Sequence, residues 1–482
     1  MGGAAGATLV ISMFRVKFAA VFIGASGVGL ISAYSSVQVF ISNLASLGLQ
    51  TSGVRQIAAD LAAGDNLAVS KTVTALRRLC FTMGLIGMIL TGLFSRQISE
   101  IALGSQAHRV DVMLLGVVVF LANLTVPYLV VLQGLRQIST LARVNVFSAI
   151  IGSTASVFFY WTFQSKGVIM GILFATFAQL IIARLFSTGL VPAAGPAALP
   201  ESLRIAGRLI NLGWVVMWTG VLVALVSVSI VSMLTASASL ASVGLYTAAF
   251  SLSGVFVNFI LNSMAADYYP RLSGATSDSV RFNALISEQS EVSILLSLPG
   301  LLFTLSLSSE IVTVFYSRDF LAADSMLQLF ILGCLGRVIA WPMGYAILAQ
   351  GRSRWFLLTE TAANVFHIFL VFLCFKLFGL IGVALAFVLL YALYTLLVKA
   401  VCYRLTRFAW KLDALMLVVG AVSALVIALA VSWGLEGWMG VVVNLCFSSL
   451  VSVWCFRRLV VRAGVVNWAS SALAFIKRKP RS

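Results

Sequence analysis

Apolar runs of about 20 residues recur along almost the whole chain, separated by short polar stretches. A helix of that length spans the ~30 Å hydrocarbon core of a bilayer. Soluble domains carry about 25% charged residues, whereas this chain has 10% charged and 61% hydrophobic residues. A water-soluble fold of that composition has nothing to cover its surface with. The pattern therefore predicts an all-α polytopic membrane protein with about 14 transmembrane helices. The first two spans are expected at about 7–24 and 34–50.

An even number of spans puts both ends on one side. With Arg15 and Lys17 counted on the N-terminal side, the loops and tails on the side of the termini hold 24 Lys and Arg, against 5 in the opposite loops, and the other three lie inside spans. By the positive-inside rule both termini are cytoplasmic. The net charge of +17 is accounted for in the same way, and no motif for RNA or DNA binding accompanies it. The N-terminus lacks a charged lead, and Arg15 and Lys17 sit within its apolar stretch. It is expected to remain as the first helix rather than be cleaved as a signal peptide.

Six cysteines lie in or beside apolar runs, with no C-x-x-C pair, and the chain has only two histidines. They read as small buried apolar side chains, not as a metal framework. No G-x-x-x-x-G-K-[ST] loop, acidic pair or catalytic triad is present. Neither an enzyme activity nor a cofactor is expected.

The chain is internally duplicated. "GLISAYSSVQVFISNLASLG" from Gly29 matches "GLYTAAFSLSGVFVNFILNS" from Gly244, which sets Asn43 on Asn258. "LQGLRQISTLARVNVF" from Leu132 matches "LAQGRSRWFLLTETAANVF" from Leu348, and both end in Asn-Val-Phe, at Asn145 and Asn364. Pro127 and Pro342 precede these segments at similar spacing. The expected organisation is a six-helix N-terminal lobe (1–190), a proline-rich linker (191–210) and a six-helix C-terminal lobe (211–410). Two additional helices (411–456) and a basic cytoplasmic tail (457–482) follow. In transporters built from parallel repeats the site lies between the halves.

Ionisable groups inside a bilayer are costly, so those within spans are candidates for a cavity. Glu360 is the one carboxylate clearly inside a span, and Glu360, Asn364 and His367 share a helix face. The stripe reads either as a cavity lining, with Glu360 a candidate for proton coupling, or as helix–helix contacts near the interface. Arg337 sits near the middle of its span, five residues before Pro342. It reads as a cation for an anionic group, or as the partner of a carboxylate such as Glu360. Arg15 and Lys17, two residues apart, point about 200° apart, so only one can line a given cavity. Asn43, Ser46 and Gln50 lead to Arg55 at the cytoplasmic end of the second span, and Asn258 and Asn262 repeat the idea in the second half. Arg55 reads equally as an interfacial anchor. Asn145 reads as a helix–helix contact.

The polar island "AADYYPRLSGATSDSVRFNALISEQSEV", Ala265 to Val292, is expected to be a cytoplasmic loop, with Pro270 ending the helix before it. Within and after it, "ADYYPRLSG", "ISEQSEVSILLSLPGLL", "FYSRDFLAADSMLQLFILG" and "WPMGYAILAQGRSRWFLLTE" carry a resemblance, continued by "GLIGVALAFVLLYALY". The chain resembles the bacterial O-antigen translocases, the Wzx-type flippases of the polysaccharide-transporter branch of the MOP superfamily. It is also similar to the enterobacterial common antigen translocase. The resemblance covers most of the chain and is most specific from Ala265 to Tyr394.

That resemblance implies two six-helix lobes in a V-shaped, alternating-access arrangement, in a bacterial inner membrane. It implies a cargo of undecaprenyl-pyrophosphate-linked oligosaccharide carried to the periplasmic leaflet, with membrane lipids around it. A glycan polymerase and a chain-length regulator are the implied partners. Under it, Arg15, Lys17, Arg55 and Arg337 are candidates for the pyrophosphate. Asn43, Asn258, Asn262, Asn364 and His367 are candidates for the sugars. The alternatives are an ion-coupled multidrug exporter of the related MATE branch and a lipid II flippase.

Overall fold

The computed structural model describes residues 2–191, 197–435 and 437–462; the centre of the proline-rich linker and most of the basic tail lie outside them. Among the described residues the regular structure is all helical. Apolar solvent offers no partner for a free N–H or C=O, and a helix satisfies both within one segment.

The helices are α1 (Gly2–Ser46), α2 (Leu49–Ala62), α3 (Asn66–Leu93), α4 (Ser95–Leu103), α5 (Arg109–Gly134), α6 (Ile138–Phe163), α7 (Gly167–Ser187) and α8 (Leu199–Ser237). They continue as α9 (Leu240–Ser273), α10 (Ser279–Ser306), α11 (Ser308–Phe315), α12 (Asp324–Ala349), α13 (Ser353–Thr406), α14 (Leu412–Gly434) and α15 (Trp438–Arg462). Among the described residues ten stretches are long and apolar enough to cross a membrane, and the bent pair α10–α11 makes up to eleven. Three of the ten run 44, 50 and 54 residues, about twice the ~20 that one crossing needs.

Each of those three long stretches is interrupted by a residue with positive φ: Gly24 (φ 63°, ψ −169°), Gln164 (φ 51°, ψ −132°) and Gly379 (φ 61°, ψ −142°). A glycine stands three residues after each break, at Gly27, Gly167 and Gly382. A Cβ there would run into the Ile23 side chain, the Phe159 carbonyl and the Cys374 carbonyl respectively. The missing side chain lets the chain fold back closely on what precedes it.

The duplication is visible in the helix bounds. Residues 109–134 of α5 recur 215 positions later as α12, and residues 138–163 of α6 recur at the same offset as the first part of α13. Pro127 and Pro342 then occupy one position inside their helices. This register sets Asn145 on Glu360, one helical turn from the Asn364 that the Asn-Val-Phe match aligned with it.

The chain packs as two compact units, Met1–Thr247 with Thr313–Ala322, and Ala248–Val312 with Ala323–Ser482. In the first, Leu49 and Ile57 of α2 pack with Leu76 of α3, Val130 of α5 and Leu209 of α8. Two basic residues on one face of α3 hold the start of α8. Lys71 Nζ donates to Glu201 Oε1 at 2.8 Å, and Arg78 donates to Ala197 O at 2.9 Å and Ser202 Oγ at 2.7 Å. Asp65 caps α3 through Ala68 N at 2.8 Å.

In the second unit, Tyr268, Phe282, Met343, Val398 and Phe408 form one core. α14 and α15 pack on α10, where the Ser306 and Ser448 hydroxyls meet at 2.9 Å. Asn444 Nδ2 ties the pair by donating to Ala428 O at 3.0 Å and Ser432 Oγ at 2.8 Å.

Two local expectations are corrected. Pro270 does not end its helix: α9 runs through it to Ser273, and only 274–278 separate α9 from α10, where Asp278 caps through Val280 N and Arg281 N. Proline near the last turn forfeits one hydrogen bond. Its neighbour Tyr268 is anchored against Trp341 and Tyr345, with Oη donating to Pro342 O at 3.0 Å. Burial pushes this phenol well above its usual range, so it stays a donor. The second predicted span, 34–50, also ends earlier. Leu47 and Gly48 have positive φ (51° and 70°), so Gln50 lies in a new helix that begins at Leu49 and does not share a face with Asn43 and Ser46.

Candidate functional site

The first unit holds a cleft of about 750 Å³ between the N-terminal part of α1, the start of α6 and the middle of α7. Gly152, Ala149 and Ala175 line it, and small side chains at these positions leave the space. Into it the chain places Arg15, Asn145, Ser148, Ser153 and Gln179. Thr8, Ser12 and Thr176 also line it, but their hydroxyls are returned to their own helices at 2.8 to 2.9 Å. Among the described residues Arg15 makes no ion pair, and neither Asn145 nor Gln179 has a protein hydrogen-bond partner. The Ser148 hydroxyl is buried and unpartnered too. A half-buried cation and several amides and hydroxyls are thus uncommitted in a region where leaving polar groups unpaired is costly.

At the 215-residue offset the second unit carries larger side chains in the corresponding positions of α13. Gly152 becomes His367, Ala149 becomes Asn364, Ala175 becomes Leu390, Thr176 becomes Tyr391 and Gln179 becomes Tyr394. Tyr394 Oη donates to Glu360 Oε1 at 2.6 Å, and Asn364 Nδ2 donates to Glu360 O at 2.8 Å. The His367 ring stands 6.1 Å from that of Phe387, which lies 4.9 Å from Tyr391. Arg337 is near Tyr391 and Cys334 and is half buried. Among the described residues it forms no ion pair, with Glu360 or any other carboxylate. One copy of the repeat therefore carries an open polar cleft, and the other an aromatic cluster holding a carboxylate.

The remaining candidates are spread out. Lys17 turns away from the cleft and donates to Thr313 O at 2.9 Å, in line with the ~200° between it and Arg15. Asn43 Nδ2 donates to Gly220 O at 2.9 Å and so fastens α8 to α1. Arg55 is exposed on α2, and Asn258 and Asn262 are exposed on α9. Sequence reasoning weighed Asn145 only as a helix contact and did not single out Gln179 or Tyr394. Their signal was the repeat register, which aligns the Asn145/Gln179 pair with the bonded Glu360/Tyr394 pair.

Comparison with solved structures identifies the fold. A lipid II flippase MurJ in an inward closed conformation superposes with a TM-score of 0.72 at 14% identity, over 95% of this chain and 98% of that one. An inward-facing multidrug resistance MATE family transporter of the MOP superfamily gives 0.65 at 13% identity, over 83% and 96%. A MOP superfamily transporter from Pyrococcus furiosus gives 0.57 at 12%, over 84% and 95%. The fold is that of the MOP transporters. No curated protein matches the chain significantly. The family model described as "Polysaccharide biosynthesis protein" matches residues 20–324, well over half of the chain, and the chain belongs to that family.

Proposed function

We propose that this protein is a flippase that carries an undecaprenyl-pyrophosphate-linked oligosaccharide, an O-antigen or similar surface-glycan repeat unit, from the cytoplasmic to the periplasmic leaflet of a bacterial inner membrane. The observation that carries the reading is the cleft of the first unit, with its uncommitted guanidinium, amides and hydroxyls. A pyrophosphate calls for a cation, and sugar hydroxyls call for amides and hydroxyls. The polysaccharide biosynthesis family supports a glycan cargo. The cleft is built from the first residues of α1 and α6, next to the Lys- and Arg-rich loops. In the proposed topology of 14 crossings, with both termini cytoplasmic, that is the side on which the cargo is assembled. Arg337, near the Tyr391–Tyr394–Glu360 cluster, is the proposed second cationic position. The N-terminal lobe (1–190) and C-terminal lobe (211–410) are the proposed moving parts. A polymerase and a chain-length regulator are the proposed downstream partners.

The test is the leaflet location of the lipid-linked glycan in a deletion strain. The glycan is expected to be trapped on the cytoplasmic face and to be released by the wild-type chain, but not by a stably expressed Arg15→Gln variant. Release by both removes Arg15 from the site. No trapping, with substitute flippases deleted, overturns the glycan reading. Arrest of wall synthesis on depletion identifies the cargo as lipid II instead.

A further inference from the structure

At the end of the first unit opposite the Lys- and Arg-rich loops, three titratable side chains meet. Tyr34, in the second half of α1, is 1% exposed. Its Oη donates to Asp111 Oδ2 at 2.5 Å and lies 3.1 Å from His108 Nδ1, which is itself 3.2 Å from Asp111 Oδ2. His108 ends the 3-10 turn Gln106–His108, and Asp111 is in the first turn of α5. One of the chain's two histidines and one of its 15 acidic residues thus converge on a core tyrosine more than 70 positions away in sequence.

The hydrogen-bond geometry determines the tautomer. Tyr34 spends its single proton on Asp111, so its oxygen offers only lone pairs to the imidazole. Asp111 Oδ2 likewise only accepts. His108 Nδ1 faces both acceptors and must therefore carry hydrogen, which leaves Nε2 as the basic nitrogen. The His108 and Asp111 side chains are 28% and 31% exposed, so water reaches the pair while Tyr34 is sealed in the core. The other charged groups on the elements packed there are Arg96 and Glu100 of α4 and Arg109 of α5. Glu100 accepts from Gln106 Nε2 at 3.3 Å, and α1 brings only Tyr34 to this place.

We infer that Tyr34, His108 and Asp111 form a proton-binding latch that fastens the second half of α1 to the start of α5. His108 Nε2 takes a proton from water at this end and returns it there. Protonation turns the hydrogen bond from a neutral imidazole to the Asp111 carboxylate into an ion pair, and the bond from Tyr34 to Asp111 transmits the tighter hold into the core. Histidine is the side chain that changes charge between about pH 5 and 8. The latch stands on this geometry alone, whatever cargo the protein carries.

The test is hydrogen–deuterium exchange of the full-length protein in lipid nanodiscs at about pH 5.5 and about pH 8, corrected for intrinsic exchange. In the wild type, peptides containing Tyr34 and Asp111 are expected to exchange about two- to fivefold more slowly at the lower pH, the worth of a part-exposed ion pair. His108→Asn keeps a donor at the Nδ1 position but has no titrating nitrogen, so its exchange there is expected to be independent of pH. Asp111→Asn, the second variant should the first not fold, is expected to lose the dependence as well. A wild type without the pH difference, or a difference that persists in either folded variant, overturns the latch.

Discussion

Gly29 and Gly244 meet reciprocally where α1 crosses the start of α9. A Cβ on Gly29 would run into the Leu240 carbonyl, and a Cβ on Gly244 into the Ala25 carbonyl. The two contacts are the same contact seen from each copy of the repeat, since Leu240 and Gly244 stand 215 residues after Ala25 and Gly29. Small residues let helix backbones approach this closely, and in lipid such packing is a main source of helix association.

Substitution at this crossing is expected to be costly. Gly29→Ala and Gly244→Ala each press a methyl group against backbone, and overpacking costs about 1–3 kcal/mol. Thermal unfolding in detergent should place both variants well below the wild type. Gly207→Ala, on α8 with open space around it, is the control and should unfold at or slightly above the wild-type temperature, since alanine favours helix.

Arg15 and Lys17 are expected to separate function from stability. Lys17→Met removes the donor to Thr313 O, and a hydrogen bond to a charged group is worth about 1.5–3 kcal/mol. Its Tm should fall. Arg15→Gln removes a cation that bonds to no protein group among the described residues, so its Tm should hold while glycan export is lost. Measuring unfolding and surface glycan on both variants decides the assignment.

The two ties from α3 to the start of α8 are expected to differ in worth. The Lys71–Glu201 pair is about one-third exposed (28% and 32%), and surface pairs contribute about 0–1 kcal/mol. Lys71→Ala should therefore be nearly silent in an unfolding assay. Arg78→Ala leaves the Ala197 carbonyl and the Ser202 hydroxyl without their donor. Its cost should be about 1–3 kcal/mol, with heightened proteolysis near residue 200 as a second readout.

For the Glu360–Tyr394 bond, the expected asymmetry is that the tyrosine matters more to stability than the charge does. Tyr394→Phe leaves a half-buried carboxylate without its donor and should cost about 1–3 kcal/mol. Glu360→Gln keeps an acceptor for Tyr394 Oη and should unfold close to the wild type. If Glu360 carries the coupled proton, Glu360→Gln should nonetheless lose pH-driven export. Retained export assigns it a structural role.

Much was legible from the chain alone. Apolar length and the scarcity of charge require membrane-spanning helices, because a bilayer accepts few other backbones. The duplication was legible too, although the Asn-Val-Phe match slipped by one turn, since neighbouring turns of an apolar helix look alike. Pro270 misled because proline weakens a helix by one hydrogen bond, and nearby packing around Tyr268 outweighs that. The angle between Arg15 and Lys17 followed from helix geometry, but not which of them lines the cleft.

Sequence by itself determined the membrane class, the repeat and which polar side chains must answer for their presence in lipid, because hydropathy and helical period are local properties. The tertiary structure decided what those side chains do. Asn43 holds α8, Lys17 reaches Thr313, and Asn145 joins Arg15 in an open cleft while its counterpart Glu360 is closed off by Tyr394. The physical reason is that a hydrogen bond is made across space by groups remote in sequence. Whether a polar residue is glue or site depends on the neighbour that packing brings within about 3 Å.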